Sequence, residues 1–183
     1  MRRLIEATYV SLDGVIESPA TWSMPYWDEE QRSYVNSRLA DYDAFLLGRV
    51  TYQEFAATWP QIKGDPYFDT INGLPKFVAS RTLRETTWNA TVLNGDTADA
   101  VRQLKRQPGK NIVKYGTGNL DRILTEHGLI DEFHFSVFPV VVGRGKRLFE
   151  DVDTKALNLK LIGTKTFGNG VVLLKFMNEG GSR

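Results

Sequence analysis

Three short loops combine residue types that could cradle phosphate: Gly48-Arg49-Val50-Thr51-Tyr52, Ser80-Arg81-Thr82 and Gly116-Thr117-Gly118-Asn119. Each follows an apolar run, which is Ala44 to Leu47, Phe77 to Ala79 and Ile112-Val113 respectively. A strand that ends in a tight turn and passes into a helical pattern points backbone N–H groups beyond the strand end, and the helix dipole favours an anion there. In the first two loops a guanidinium stands beside hydroxyls, a pairing suited to phosphate oxygens. One such turn is common scaffolding. Three of them imply a ligand with several phosphates spread along it, and a nicotinamide dinucleotide fits that description.

Composition narrows the alternatives. The 183 residues, 42% apolar and 25% charged, suffice for one globular domain with a substantial core. With 23 basic and 22 acidic side chains the net charge is +1, too little to hold nucleic acid or an anionic membrane, so anion binding must be local. The absence of cysteine excludes disulfides, thiolate ligands and a thiol nucleophile. Two histidines, His127 and His134, are too few for a histidine metal site, and no metal is expected. The apolar stretch after Arg2-Arg3 is short and broken by Glu6, unlike a signal peptide or a membrane span, and a cytoplasmic protein is expected.

The elements that must position the loops follow from periodicity. Strands are expected at Leu4 to Val10, Phe45 to Leu47, Lys76 to Ala79, Thr91 to Leu93 and Asn111 to Val113, with a long one at Phe133 to Val142 interrupted by Pro139. Leu157 to Thr166 and Val171 to Phe176 form a closing hairpin around Phe167-Gly168-Asn169-Gly170. Helices are expected at Asp28 to Leu39, Thr51 to Thr58, Thr97 to Lys105 and around Leu120, Ile123 and Leu124, where Gly128 supplies a cap. The stretch up to Pro75, rich in Gly, Asp and Pro, reads as a loop. Strand and helix alternation gives an α/β domain over residues 1–178, a mostly parallel sheet of about eight strands with an antiparallel C-terminal hairpin, and residues 179–183 read as a disordered tail.

The order of motifs then becomes specific. Ser11-Leu12-Asp13-Gly14, Leu47-Gly48-Arg49-Val50-Thr51-Tyr52, Ser80-Arg81, Tyr115-Gly116-Thr117-Gly118 and Gly128-Leu129-Ile130-Asp131-Glu132, followed by Pro139 and Gly143 to Phe149, resemble the dihydrofolate-reductase-like superfamily. The last two elements are similar in particular to the C-terminal reductase domain of the bifunctional riboflavin-biosynthesis deaminase-reductase. The resemblance covers almost the whole chain. It implies a three-layer dihydrofolate-reductase-like fold, a homodimer, and NADPH bound across the C-terminal strand edges, with hydride passing to a C=N bond of a pyrimidine- or pterin-like substrate.

Residue by residue, the resemblance places Gly48, Arg49 and Thr51 at the pyrophosphate and adenosine side, and Ser80 and Arg81 at the 2′-phosphate. It places Tyr115, Gly116, Gly118, Asn119 and Leu120 at the pyrophosphate turn, and Val10 and Ile16 beside the nicotinamide. Asp13 is the candidate proton relay, with Asp-Gly turn formation as the commoner use of such a residue. Trp22, Tyr26 and Trp27 are candidates to stack on a flat heterocyclic substrate, or else to cap the core. Asp28, Glu29 and Glu30 look like a solvated helix start rather than a substrate carboxylate. His127, His134 and the Arg144 to Arg147 cluster read as structural. The strand from Phe133 to Val142 carries more apolar residues than one covered face requires, which also points to a homodimer. The alternatives are dihydrofolate reductase itself and a nucleotide-binding module without turnover.

Overall fold

The computed structural model describes residues 1–150, 152, 153, 155 and 157–180. Six strands run parallel: β1 (Leu4–Ser11), β2 (Tyr42–Gly48), β3 (Lys76–Ala79), β4 (Ala90–Val92), β5 (Asn111–Tyr115) and β6 (Glu132–Phe138). The closing pair, β7 (Leu159–Thr166) and β8 (Val172–Asn178), joins β6 antiparallel through β8. The order across the sheet is β4-β3-β2-β5-β1-β6-β8-β7, which puts β1 between β5 and β6. Six α-helices among the described residues, α1 (Ala20–Ser23), α2 (Glu29–Leu39), α3 (Arg49–Thr58), α4 (Pro66–Gly73), α5 (Thr97–Arg106) and α6 (Asn119–Glu126), lie between the strands. No helix among the described residues is long and apolar enough to cross a membrane.

Successive strand residues point to opposite faces, so each apolar pair feeds two cores. Leu4, Leu46 and Ile112 pack with Val101, Leu104 and Leu124 of α5 and α6. Their neighbours Ile5, Leu47 and Val113 pack on the other face with Leu39, Tyr52 and Ile71 of α2, α3 and α4. Leu124 is fully buried, and truncating it to alanine is expected to cost about 2–5 kcal/mol. The helix starts are capped as their sequences suggest: Asp96 accepts from Asp99 N at 3.0 Å, and Asp28 from Gln31 N at 2.9 Å.

Three expectations are corrected. The loop before Pro75 contains α4, which starts where Asp65 accepts from the N–H groups of Tyr67 and Phe68 and Pro66 takes the first helical turn. The long strand ends at Phe138; past Pro139 the chain turns away, and Val140 O accepts from Leu12 N at 2.8 Å. Phe133 and Phe135 are buried within this chain, against Phe149 and Phe176, while Val140 and Val142 pack around Phe138. Phe133 and Phe135 are thus accounted for within the chain, while Val137, Val140 and Val142 stay half-buried. At the C-terminus, Glu179 N donates to Asn158 O at 2.8 Å and Gly180 N to Asn178 Oδ1 at 3.1 Å, so these two are tied down, and 181–183 lie outside the described residues.

Candidate active site

Because β2, β3 and β5 run parallel, their C-terminal ends share one edge, and all three loops border a single open groove of about 1550 Å³. The first and third loops touch. Gly116 has φ +75°, and a Cβ there would lie 2.7 Å from Thr51 Oγ1, so only glycine lets the start of α3 approach the turn. Gly118 differs: its backbone is extended and a Cβ would meet nothing within 4 Å, leaving the peptide open to the groove. Arg49 and Arg81 are exposed on the groove wall, Arg49 steadied by Gln53 at 2.8 Å. Ser80 Oγ accepts from the N–H groups of Thr82 (3.2 Å) and Leu83 (2.9 Å), which shapes the turn that presents Arg81. Asn119 is exposed, whereas Leu120 is buried against the core below.

A buried ionic cluster supports the glycine turn from beneath. Lys114 Nζ lies 2.5 Å from Asp121 Oδ1 and 3.8 Å from Glu6 Oε2, and it donates to Gly116 O at 2.5 Å. Asp121 Oδ2 accepts from Gly118 N at 2.6 Å. One ammonium and one carboxylate thus hold both glycines of the turn. Burial and the nearby Asp121 push the Glu6 carboxyl well above the usual carboxylate range, and its Oε2 has no hydrogen-bond partner. For Asp121, burial alone would raise the carboxyl, but Lys114 and the hydrogen bonds outweigh it and hold it below the usual range. The cluster therefore favours the ionised forms of Lys114 and Asp121 and the protonated form of Glu6.

Near the end of β1, Val10 and Ile16 are both buried in the core on this side of the sheet, and Ile16 also borders the groove. Asp13 is engaged on every side. Its carboxylate accepts from Ser11 Oγ (2.7 Å), Val142 N (3.1 Å) and Gly143 N (2.8 Å), and its carbonyl accepts from Arg147. The hydrogen bond from Ser11, then those from Val142 and Gly143, lower its pKa to about 2. These bonds favour the ionised carboxylate and tie it to the turn, the commoner use of an Asp-Gly pair, so the contacts of Asp13 lend no support to the expected proton relay. Asp13 clasps the turn after β1 to the loop after β6, where Ile16 N also donates to Lys146 O and Leu148 N to Gly14 O, both at 2.9 Å. The Arg144 to Arg147 segment is part of that anchor.

Of the three aromatic candidates, only Trp27 borders the groove. Trp22 is buried edge-on against Phe138 and donates to Glu17 O at 3.0 Å, and Tyr26 packs on the same ring with its hydroxyl on Pro139 O at 3.2 Å. Both pack at the core cluster around Phe138 and do not line the groove. Tyr115 is also relocated. It follows Lys114 on β5 and so projects to the opposite face, where its ring meets Phe45 at 4.9 Å and its phenol sits among Tyr9, Tyr42 and Tyr67. Burial first, then mutual proximity, raises Tyr9, Tyr42 and Tyr67, and burial raises Tyr115, so all four phenols stay neutral. With Arg38, Tyr34, Phe55, Trp59 and Phe68 they line the end of the groove beyond Trp27. Sequence reasoning passed over this second chamber and the Lys114 cluster. A glutamate in the first strand and a lysine ending the Ile112-Val113 run were the only signals of the cluster.

Comparison with known proteins places this geometry. The proteins YyaP and YwjB of Bacillus subtilis (strain 168), both described as uncharacterized, are 34% and 30% identical to this chain; the matches cover 96% and 94% of it, and 94% and 96% of those proteins. A Shewanella sp. PV-4 structure described as a candidate riboflavin biosynthesis protein superposes with a TM-score of 0.74 at 21% identity, covering 97% of this chain and 99% of that one. The deaminase/5-amino-6-(5-phosphoribosylamino)uracil reductase of Thermotoga maritima gives 0.66 at 14% identity over 97% of this chain and 56% of its own. Schistosoma mansoni dihydrofolate reductase gives 0.63 at 15% identity over 97% and 98%. These likenesses establish the dihydrofolate-reductase-like fold. The model of the RibD C-terminal domain matches residues 2–173, and the chain belongs to that family.

Proposed function

We propose that this protein is an NADPH-dependent reductase that adds hydride to a C=N bond of a flat pyrimidine- or pterin-like heterocycle. The observation that carries this reading is the meeting of the three phosphate-type loops on one groove that continues into an aromatic chamber. Family membership supports it, since two structural relatives are named as reductases of a pyrimidine and of dihydrofolate. The donor set fits the cofactor: exposed Arg81 suits a 2′-phosphate, while the N-terminus of α6, with no side chain at Gly118 to block approach, suits a pyrophosphate.

When bound, the nicotinamide supplies a hydride. The chain itself orients the rings and keeps water away, which asks little of acid–base side chains. Ile16 closes the groove beside the strand ends, Lys114 and Asp121 fix the turn that faces the diphosphate, and Trp27 walls the passage to the aromatic chamber. With Asp13 committed to its loop, the proton that accompanies hydride is drawn from water. Titration of the protein with NADPH and NADH, followed by nicotinamide fluorescence, tests the cofactor assignment. NADPH is expected to bind at least tenfold more tightly, and absence of binding by either dinucleotide would end the proposal.

A further inference from the structure

The aromatic part of the groove carries a cation, Arg38, that the loops described above do not use. Arg38 of α2 pairs through Nη1 with Asp41 Oδ2 at 2.7 Å, and no other carboxylate among the described residues reaches its fork. Its Nε and the Tyr34 hydroxyl are both buried without a hydrogen-bond partner. Burial would lower the guanidinium, but Tyr42, Asp41 and Tyr34 more than offset this and keep it firmly charged. Tyr34 and Tyr42 stand beside it, and the same groove carries a flat wall, Phe55 and Trp59 stacked 3.8 Å apart between centroids. Arg32, the other guanidinium lining this end, stands 3.8 Å from both Glu29 and Asp65 and lies over the Trp27 ring.

Resting on the reductase reading, we propose that this chamber selects a planar heterocycle carrying a single negative charge of carboxylate type, with Arg38 and Tyr34 as the specificity-determining residues. The charge pattern chooses between anions. Arg32 faces two carboxylates and Arg38 faces one, and with Lys175 lying 5.5 Å over the Tyr34 ring the three cations only balance the three carboxylates, which leaves no surplus to neutralise a phosphate dianion. It does have the unpartnered Arg38 Nε and the unpartnered Tyr34 hydroxyl, beside Tyr42 on the same guanidinium, which match the two oxygens of a carboxylate. The aromatic walls exclude water around that contact and fit the ring that carries it. A ring with a ribosyl phosphate, such as the uracil derivative in the name of the Thermotoga relative, does not suit this end.

Calorimetric titration of the full chain, with and without saturating NADPH, tests the proposal using pterin-6-carboxylate, unsubstituted pterin and uridine 5′-monophosphate as probes. Pterin-6-carboxylate is expected to bind at least about tenfold more tightly than either of the others, the factor appropriate to one charge-assisted pair. Arg38→Met should erase that advantage while leaving pterin binding and NADPH binding unchanged. Arg38→Lys should restore part of it, because the charge returns without the fork. Tyr34→Phe removes only a hydroxyl, and it should weaken the carboxylate several-fold without touching pterin, so the test survives if Arg38→Met is poorly folded. Equal affinity for pterin and its carboxylate, an advantage that persists in Arg38→Met and Tyr34→Phe, or nucleotide monophosphate binding as tight as the carboxylate would each overturn the proposal. NADPH binding is read separately in the same titrations, so its failure would sink the reductase reading while leaving the ring preference measured.

Discussion

Replacing Glu6 with glutamine should be nearly silent at pH 5 and increasingly stabilising relative to wild type as the pH rises. The Glu6 carboxyl is pushed up first by burial and then by Asp121, while Lys114 offsets only part of this from 3.8 Å. Folded Glu6 is therefore protonated at pH values where the unfolded chain has already released that proton. Its ordinary value is 4.5, so between 4.5 and the higher folded value the native state binds the extra proton and stability falls as pH rises. The slope approaches about 1.4 kcal/mol per pH unit within that interval. Asp121 has the opposite sign: its contribution is complete above the ordinary carboxylate range and is lost only as pH falls through its depressed value, outside this window. Glutamine copies the neutral acid in shape and cannot titrate, so urea midpoints at pH 5, 6 and 7 should show Glu6→Gln gaining steadily on wild type. Lys114→Met strands the Asp121 charge and should cost about 3–5 kcal/mol at pH 7. Parallel pH profiles for wild type and Glu6→Gln, or a cost for Glu6→Gln as large as that for Lys114→Met, would show Glu6 to be ionised and refute the reasoning.

Other expectations concern the groove and the surface. Arg81→Ala should weaken NADPH about ten- to a hundredfold and leave NADH nearly unchanged, and equal loss for both cofactors would remove Arg81 from the 2′-phosphate. Gly116→Ala, at φ +75° with Thr51 Oγ1 2.7 Å from the new methyl, should cost at least about 2 kcal/mol and cofactor affinity with it; a wild-type melting curve would contradict that close approach. Asp13→Asn should lower the melting temperature while turnover stays within a few-fold, and a loss of about a hundredfold or more in single-turnover hydride transfer would return Asp13 to the chemistry. The homodimer implied by the family resemblance is proposed to use the edge strand β7, where Leu161 and Ile162 are exposed, and a monomeric mass by light scattering at micromolar concentration would dismiss it.

Those parts of the fold written in short-range patterns were legible before any coordinates. Ala98, Val101 and Leu104 lie in helical step and are buried, and the apolar runs ending at Leu47, Ala79 and Val113 are strands. The phosphate-type loops were readable because each sits directly after its strand. Asp65-Pro66 was misread because the residues that cap a helix are also those that make loops. Trp22 and Tyr26 could not be separated from Trp27 by type, since only Phe138, more than a hundred positions away, decides which rings it buries. The ionic cluster needs Glu6 and Lys114 to face each other across β1 and β5, a matter of register that no local window contains.

Strand β1 turns its alternation into a division of labour with a consequence for how such proteins diverge. Its even-numbered Glu6 and Thr8 face the layer that braces the glycine turn, while its odd-numbered Ala7 and Tyr9 face the phenol chamber beside Tyr115, His134 and Ser136. The same parity continues across β5, where Lys114 serves one layer and Tyr115 the other. Mutational drift at odd positions can therefore rewrite what the chamber accepts while the dinucleotide end is inherited intact. A register slip of one residue would exchange the two sets and ruin both at once. Lineages built on this sheet are thus free to change ligand by single substitutions, but not by single-residue insertions in the central strands.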